Sequence, residues 1–263
     1  MLGCGIIVAA PRTSEYSCLP ARFLRIVLLL GATFRACIAG AAPWVAVDVG
    51  HTLEAPGATS ARGVPEFAFN LALARSLAAA LRERGVDARL VGEDGLMPSL
   101  GARTVAARGA ALFVSIHHDS SQPHLMQSWE VGGVIRPHND DVAGFSLFVS
   151  RRNPHAAASL ACASRVGAAL VAGGFQRSLY HAAPIRGEMK PFADRGNGVH
   201  YFDNLVVLKT ARQPALLVEA GVIVNRGEEM RLASPDHVTL QAAALAEGIP
   251  RCLRPPDGRS HTR

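Results

Sequence analysis

Apolar residues recur along this chain with two periods, and segments of the two kinds alternate. The run WVAVDV, Trp44–Val49, is a short continuous apolar stretch closed by Gly50, the pattern of a buried strand. A loop rich in Gly, Pro and Ser follows it, DVGHTLEAPGATSARG. From Pro65 to Arg84 the positions Phe67, Leu71, Ala74, Leu77, Ala78 and Leu81 recur at helical spacing, which predicts a helix. Pro65 suits its first turn and Gly85 its end. Asp87–Val91 reads as a strand, Ser99–Arg108 as a helix capped by Ser99, and Ala111–Ile116 as the next strand. Further on, Trp129–Ile135, GFSLFVS, Leu205–Lys209 and Ala215–Val218 read as strands. Ala156–Ala172 and Ser234–Gly248 read as helices, the second capped by Ser234 with Pro235 in its first turn. Gly173–Asn204, Gly-rich and of mixed charge, carries no period. Alternating strands and helices predict an α/β fold. The expectation is a single three-layer domain over residues 42–250, a twisted, mostly parallel (mixed) sheet with helices on both faces, and a disordered basic tail over 251–263.

Composition changes this picture mainly at the N-terminus. With 49% hydrophobic and 18% charged residues, the chain is globular rather than disordered. A net charge of +6 suits nucleic acid, anionic lipid or an acidic polymer and does not by itself choose among them. No Lys/Arg run with interleaved aromatics accompanies it, so nucleic acid is not an expected partner. Arg22 and Arg25 precede the apolar run IVLLLGATF, and AGA at 39–41 supplies small residues for cleavage. Residues 1–41 therefore read as a secretory signal peptide, too short in its apolar part to be a transmembrane span. Arg35 inside the apolar region departs from that layout, and a disordered or buried N-terminal segment is the competing reading. Cleavage would remove four arginines and one glutamate, lowering the net charge from +6 to +3. It would also remove Cys4, Cys18 and Cys37 and leave Cys162 and Cys252. These two have no metal-binding spacing. They either pair in an oxidising compartment or stay as free thiols on apolar helix faces.

Chemistry collects where the strands end. In open α/β sheets ligands bind at the carboxyl ends of strands. Trp44–Val49 is followed by His51, and Asp48 lies within it. Ala111–Ile116 runs into His117, His118 and Asp119, and PALLVEAG ends in Glu219. Glu66 lies in the first turn of the helix after the first loop. Two histidines and a glutamate make a catalytic zinc set that leaves one position open for water. A further carboxylate could move the water's proton to a leaving amine. Each residue alone has a plainer use: a strand-end histidine as a loop residue, Glu66 as a helix-dipole partner, Glu219 as half of an ion pair. Their coincidence at one sheet edge is what raises the metal reading.

The stretches VDVGHTLEAPGATSARGVPEFAFNLALARSLAAALRERG, GARTVAARGAALFVSIHHDS and PALLVEAGVIVNRGEE resemble the zinc-dependent N-acetylmuramoyl-L-alanine amidases of the type-3 family. The motifs stand in family order across Val45–Gly248. The resemblance implies that His51, Glu66 and His117 bind one Zn2+ and that Glu219 is the catalytic acid/base. It implies hydrolysis of the amide between N-acetylmuramic acid and L-alanine, peptidoglycan as the partner, and a periplasmic or secreted location. His118 and Asp119 match a variable family ending and stand as neighbours or substrate contacts, and Arg103 matches a helix arginine with an ion-pair role.

The segment 136–204 is unlike the simplest members of the family, some of which carry an inserted helix that covers the metal until an activator protein displaces it. An inserted regulatory segment within 136–204, with Glu188 as a blocking ligand, is one expectation, and a plain substrate-groove loop is the other. Two rival functions also stand: a zinc carboxypeptidase or deacetylase acting on wall peptides, and a non-catalytic peptidoglycan-binding regulator.

Overall fold

A computed structural model describes residues 42–253. The signal-peptide reading of 1–41 and the tail beyond residue 253 lie outside the described residues. The elements run β1 (Trp44–Val49), α1 (Glu66–Glu83), β2 (Asp87–Val91), α2 (Leu100–Ala106), β3 (Leu112–Asp119), β4 (Gln127–Val131), β5 (Val134–His138), β6 (Ser146–Val149) and α3 (Ala156–Ala172). Then follow β7 (Phe192–Asp194), β8 (Val199–Tyr201), α4 (Val206–Thr210), β9 (Ala215–Val222), α5 (Arg226–Leu232), α6 (Pro235–Gly248) and α7 (Pro250–Leu253). Seven strands form one sheet in the order β2-β1-β3-β9-β6-β8-β7, and β4 and β5 form a separate hairpin. β2, β1, β3 and β9 are mutually parallel, β6 reverses against β9, and β7 reverses against β8. The mixed three-layer sheet is the one the pattern predicts.

Strand periodicity sorts the side chains between two layers. Val45, Val47, Val49, Val114, Ile116, Leu216 and Val218 face a core shared with Leu73, Leu77, Leu81, Val166 and Leu245 of α1, α3 and α6. Ala46, Phe113, Phe148 and Leu217 face the opposite core, with Val207 and Leu208 of α4. Each fully buried Phe or Leu contributes about 2 kcal/mol of burial free energy. The alternation decides the chemistry, because successive side chains on β3 and β9 project from opposite faces.

Several boundaries differ from the pattern. β3 continues through Asp119 and β9 runs on to Val222, because His117 pairs with Glu219 and Asp119 with Val222, with the register shifting between them. Trp129–Ile135 is broken by Gly132 and Gly133, both at positive φ, into β4 and β5. Leu205–Lys209 is helix α4, since a short apolar run suits a buried helix as well as a strand. Pro65 is the N-cap of α1 rather than its first residue, and Ser234 caps α6 without a side-chain hydrogen bond. α5 carried no apolar period; Asn225 caps it by accepting from the Gly227 and Glu228 amides. Residues 251–253 are helical, and Cys252 is disulfide-bonded to Cys162 of α3, so the tail does not begin at 251. The unplaced stretch 173–204 yields β7 and β8, three residues each and too short to show a period. Segment 136–204 thus builds part of the central sheet and α3.

Candidate metal centre and active site

His51 follows β1 and holds φ at 69°, a left-handed conformation that a non-glycine residue keeps only when its surroundings impose it. Arg103 of α2 imposes it. Its Nη1 donates to Asp48 Oδ1 at 2.7 Å and to the Val49 carbonyl at 2.5 Å, while Nη2 donates to the His51 carbonyl. Ser115 Oγ takes the other Asp48 oxygen at 2.6 Å. Arg103 and Asp48 are both buried, so each guanidinium and carboxylate bond is made away from water.

Glu66, the first residue of α1, is buried and joins the two histidines. Oε2 lies 3.0 Å from His51 Nε2 and accepts from the Ala58 amide at 3.1 Å. Oε1 lies 3.0 Å from His117 Nδ1 and accepts from Asn70 Nδ2 at 3.1 Å and the His118 amide at 3.2 Å. Burial opposes ionisation of Glu66, but the bonds and charges of His117 and His51 overcome it and hold the group well below the usual carboxylate range. One donor atom from each of His51, Glu66 and His117 lies within 4.8 Å of the others. Two glycines make room for the cluster. A Cβ on Gly50 would lie 2.4 Å from the His117 ring, and one on Gly57, at φ 82°, would lie 2.4 Å from Glu66 Oε2.

His118 projects from the other face of β3. It is buried, and its Nδ1 lies 2.8 Å from Asn70 Oδ1. Burial pushes it down to about 3, so it stays neutral. Because Asn70 also holds Glu66 and the Gly50 carbonyl, His118 braces the centre at one remove.

Glu219 stands beside His117 across β9 and β3, and beside Ser146 across β9 and β6. Directly paired residues share a face. Glu219 Oε2 is screened from solvent and has no hydrogen-bond partner among the described residues, as has the Ser146 oxygen. Burial first, then the charges of Asp119 and Glu66, raise the Glu219 carboxyl well above its ordinary value, against a smaller opposing effect of Lys190. Asp119 Oδ2 and His181 Nε2 lie 2.6 Å apart, an ion contact not aligned as a hydrogen bond. His181 Nδ1 contacts Glu188 Oε2 at 2.8 Å. Burial alone would depress His181, but Asp119 and Glu188 outweigh it and raise it to about 9. Glu188 is further held by Gln122 Nε2 and Lys190 Nζ, each at 2.6 Å. Burial opposes its ionisation, yet His181, Gln122 and Lys190 lower it to about 2. With both oxygens engaged there, Glu188 does not block the three donors in this structure.

The structure therefore brings His51, Glu66, His117 and Glu219 to one sheet edge, puts Arg103 and His118 behind them, and ties Asp119 and Glu188 to His181. Sequence reasoning missed Asn70, Ser146 and His181. Asn70 was within reach of it, one helical turn after Glu66.

The model of the N-acetylmuramoyl-L-alanine amidase family matches residues 45–251. This chain belongs to that family. The curated amidase AmiA of Salmonella typhimurium (strain LT2) is 28% identical over 230 residues, covering 78% of this chain and 74% of that protein. Among solved structures, the amidase AmiC2 of Nostoc punctiforme is 25% identical with a TM-score of 0.60, over 80% of this chain and 96% of that one. The catalytic domain of the amidase CwlV from Bacillus (Paenibacillus) polymyxa var. colistinus is 26% identical, also with a TM-score of 0.60, over 80% and 97%.

Proposed function

We propose that this amidase is a zinc enzyme that hydrolyses the bond between the lactyl group of N-acetylmuramic acid and L-alanine of the stem peptide. The observation that carries the reading is the juxtaposition of three metal-type donors with a carboxyl whose Oε2 has no hydrogen-bond partner among the described residues. The donor set fits zinc: two imidazoles and one carboxylate, with Asn70 orienting Glu66 as outer hydrogen bonds orient metal ligands. Family membership and the likeness to AmiA, AmiC2 and CwlV support the same choice.

His51, Glu66 and His117 would hold the ion. When bound, zinc polarises the amide carbonyl and makes water acidic enough to attack at neutral pH. Glu219, whose Oε2 has no hydrogen-bond partner among the described residues, would in its ionised form take the proton of the attacking water and pass it to the departing L-alanine nitrogen. Arg103 keeps His51 in its left-handed conformation. Asp119 and Glu188, clamped by His181, hold the 178–190 segment beside β3.

The protein acts in the periplasm or outside the cell. The Cys162–Cys252 bond supports this, as such bonds persist in oxidising compartments. No helix of the described residues is long and apolar enough to cross a membrane. The test is release of labelled fragments from peptidoglycan by the purified protein, with chelator and then with added zinc, followed by mass analysis. Chelator-sensitive release of stem peptides with a free L-alanine amine is expected. Release of a terminal D-amino acid or of acetate instead would replace this reading with a carboxypeptidase or a deacetylase.

A further inference from the structure

The β4–β5 hairpin sets two guanidinium groups over one tryptophan and carries a third arginine on the same face. Arg62 and Arg226 lie over the Trp129 ring at 5.2 and 5.1 Å from its centre. Trp129 Nε1 donates to the Ala61 carbonyl at 3.1 Å, which fastens the hairpin to the loop between His51 and Glu66. Arg136 is paired with Trp129 across the hairpin and so shares its face. Its guanidinium rests on Gly63 of the same loop, where a Cβ would come within 2.4 Å of its central carbon.

Two of the three charges are already matched. Arg62 meets Glu229 at 2.6 Å, and Arg226 meets Asp140 at 2.5 Å. Arg136 has no carboxylate, carbonyl or ring partner among the described residues. Glu130, the acidic residue of the hairpin, pairs with Ile135 and so faces the other way. A second polar group on the Arg136 face is also unmatched: His138 is buried, and its Nδ1 makes no hydrogen bond. Its carboxylate neighbour is Asp140, at 3.7 Å.

Position gives this spare guanidinium a use. Gly63 is three residues before Glu66, so the chain places it within about 10 Å of that backbone. A residue two peptide units from a scissile bond at the metal centre lies about 7 Å away, before its side chain is added. The planar fork of an arginine matches a carboxylate in two parallel hydrogen bonds.

We propose that Arg136 is a binding residue for a free carboxylate on the acidic part of the stem peptide, so that the hairpin reads the charge of the strand being cleaved. This rests on the amidase reading, and the experiment separates the two. Two soluble muropeptides are compared, identical except that the stem carboxylate nearest L-alanine is free in one and amidated in the other. Wild type should have the lower KM on the free acid. Arg136→Ala should raise that KM about tenfold, with kcat and the constants for the amidated substrate unchanged. Arg136→Lys should fall between, because it keeps the charge and loses the fork. Calorimetric binding of the free and amidated stem peptides alone should show the same difference. Equal KM changes on both substrates, or none, would overturn the subsite. Failure of wild type to cleave either substrate would overturn the amidase reading, and the calorimetry would still test Arg136.

Discussion

The two sides of the candidate site are built on opposite principles. On the β1–α1–α2 side no buried side-chain oxygen or nitrogen lacks a hydrogen bond among the described residues. Asp48 uses both oxygens, Arg103 holds three acceptors, and each Glu66 oxygen meets two or more donors. On the β9–β6–β8 side three buried polar atoms lack a hydrogen bond among the described residues: Glu219 Oε2, Ser146 Oγ and His200 Nε2. Folded proteins rarely leave such atoms unmatched, and each costs stability. A side with all its bonds made is rigid and suits the holding of a metal. A side with bonds still to make suits a reaction, because substrate and water can make them. The difference teaches that the three metal-type donors and the proposed proton carrier Glu219 are supported by separate networks, so they should fail separately.

The largest effect expected from breaking this separation is on turnover. Glu219→Gln removes the proton carrier and none of the three donors, so kcat should fall about 10³-fold while bound zinc stays near one per chain. Elemental analysis beside the kinetics checks it; loss of zinc with activity would mean that the two sides are one network. The next effect is on stability. Arg103→Met leaves Asp48 as a buried unpaired carboxylate and releases the His51 carbonyl, so unfolding in urea should show a loss of about 3–5 kcal/mol. A loss below 1 kcal/mol would show that the satisfied side does not depend on that pair.

The same contrast explains what could be read from the residues. His51, Glu66, His117 and Glu219 were legible because each follows or begins an element with a clear period. The sheet delivered them to one edge as a parallel α/β fold must. Arg103 was legible as an ion-pair residue, though not its partner Asp48. Apart from Glu219 and the strand β6, the open side was not legible, since the pairing of β6, the turn at Tyr180–Ala182 and three-residue β8 depend on neighbours far along the chain. Ser146 looks like any serine in an apolar run until β6 is seen reversed against β9, opposite Glu219. The Gly132–Gly133 turn was a missed signal, for two glycines between apolar runs mark a hairpin.

A smaller effect is the pH dependence of the clamp formed by Asp119, His181, Glu188 and Lys190. His181 is raised from 6.5 to about 9, so its contribution is complete below pH 6.5 and is lost as pH rises through about 9. Glu188 is lowered from 4.5 to about 2, so its contribution is complete above pH 4.5 and is lost as pH falls through about 2. The clamp should be strongest between these limits. Unfolding free energies of the wild type and His181→Gln should therefore differ most near pH 5–6, by an amount on the order of 2 kcal/mol, and converge by about pH 9. A difference that is flat with pH would show that His181 does not carry charge between the two carboxylates.

Ser146→Ala sharpens the contrast most finely, because the two sides predict different signs for such a change. On the satisfied side, deleting a hydroxyl such as that of Ser115 leaves Asp48 short of a bond and should cost 1–3 kcal/mol. On the open side the Ser146 oxygen is already buried without a partner, so its removal deletes an unpaid desolvation penalty. Stability should stay within about 0.5 kcal/mol of wild type or rise, while kcat falls a few-fold, since the hydroxyl beside Glu219 is then missing when substrate and water occupy the site. Urea unfolding and steady-state kinetics on the same preparation read both quantities. A stability loss above 1 kcal/mol would mean that this hydroxyl is already engaged in the resting protein, and the open side would then be as closed as the other.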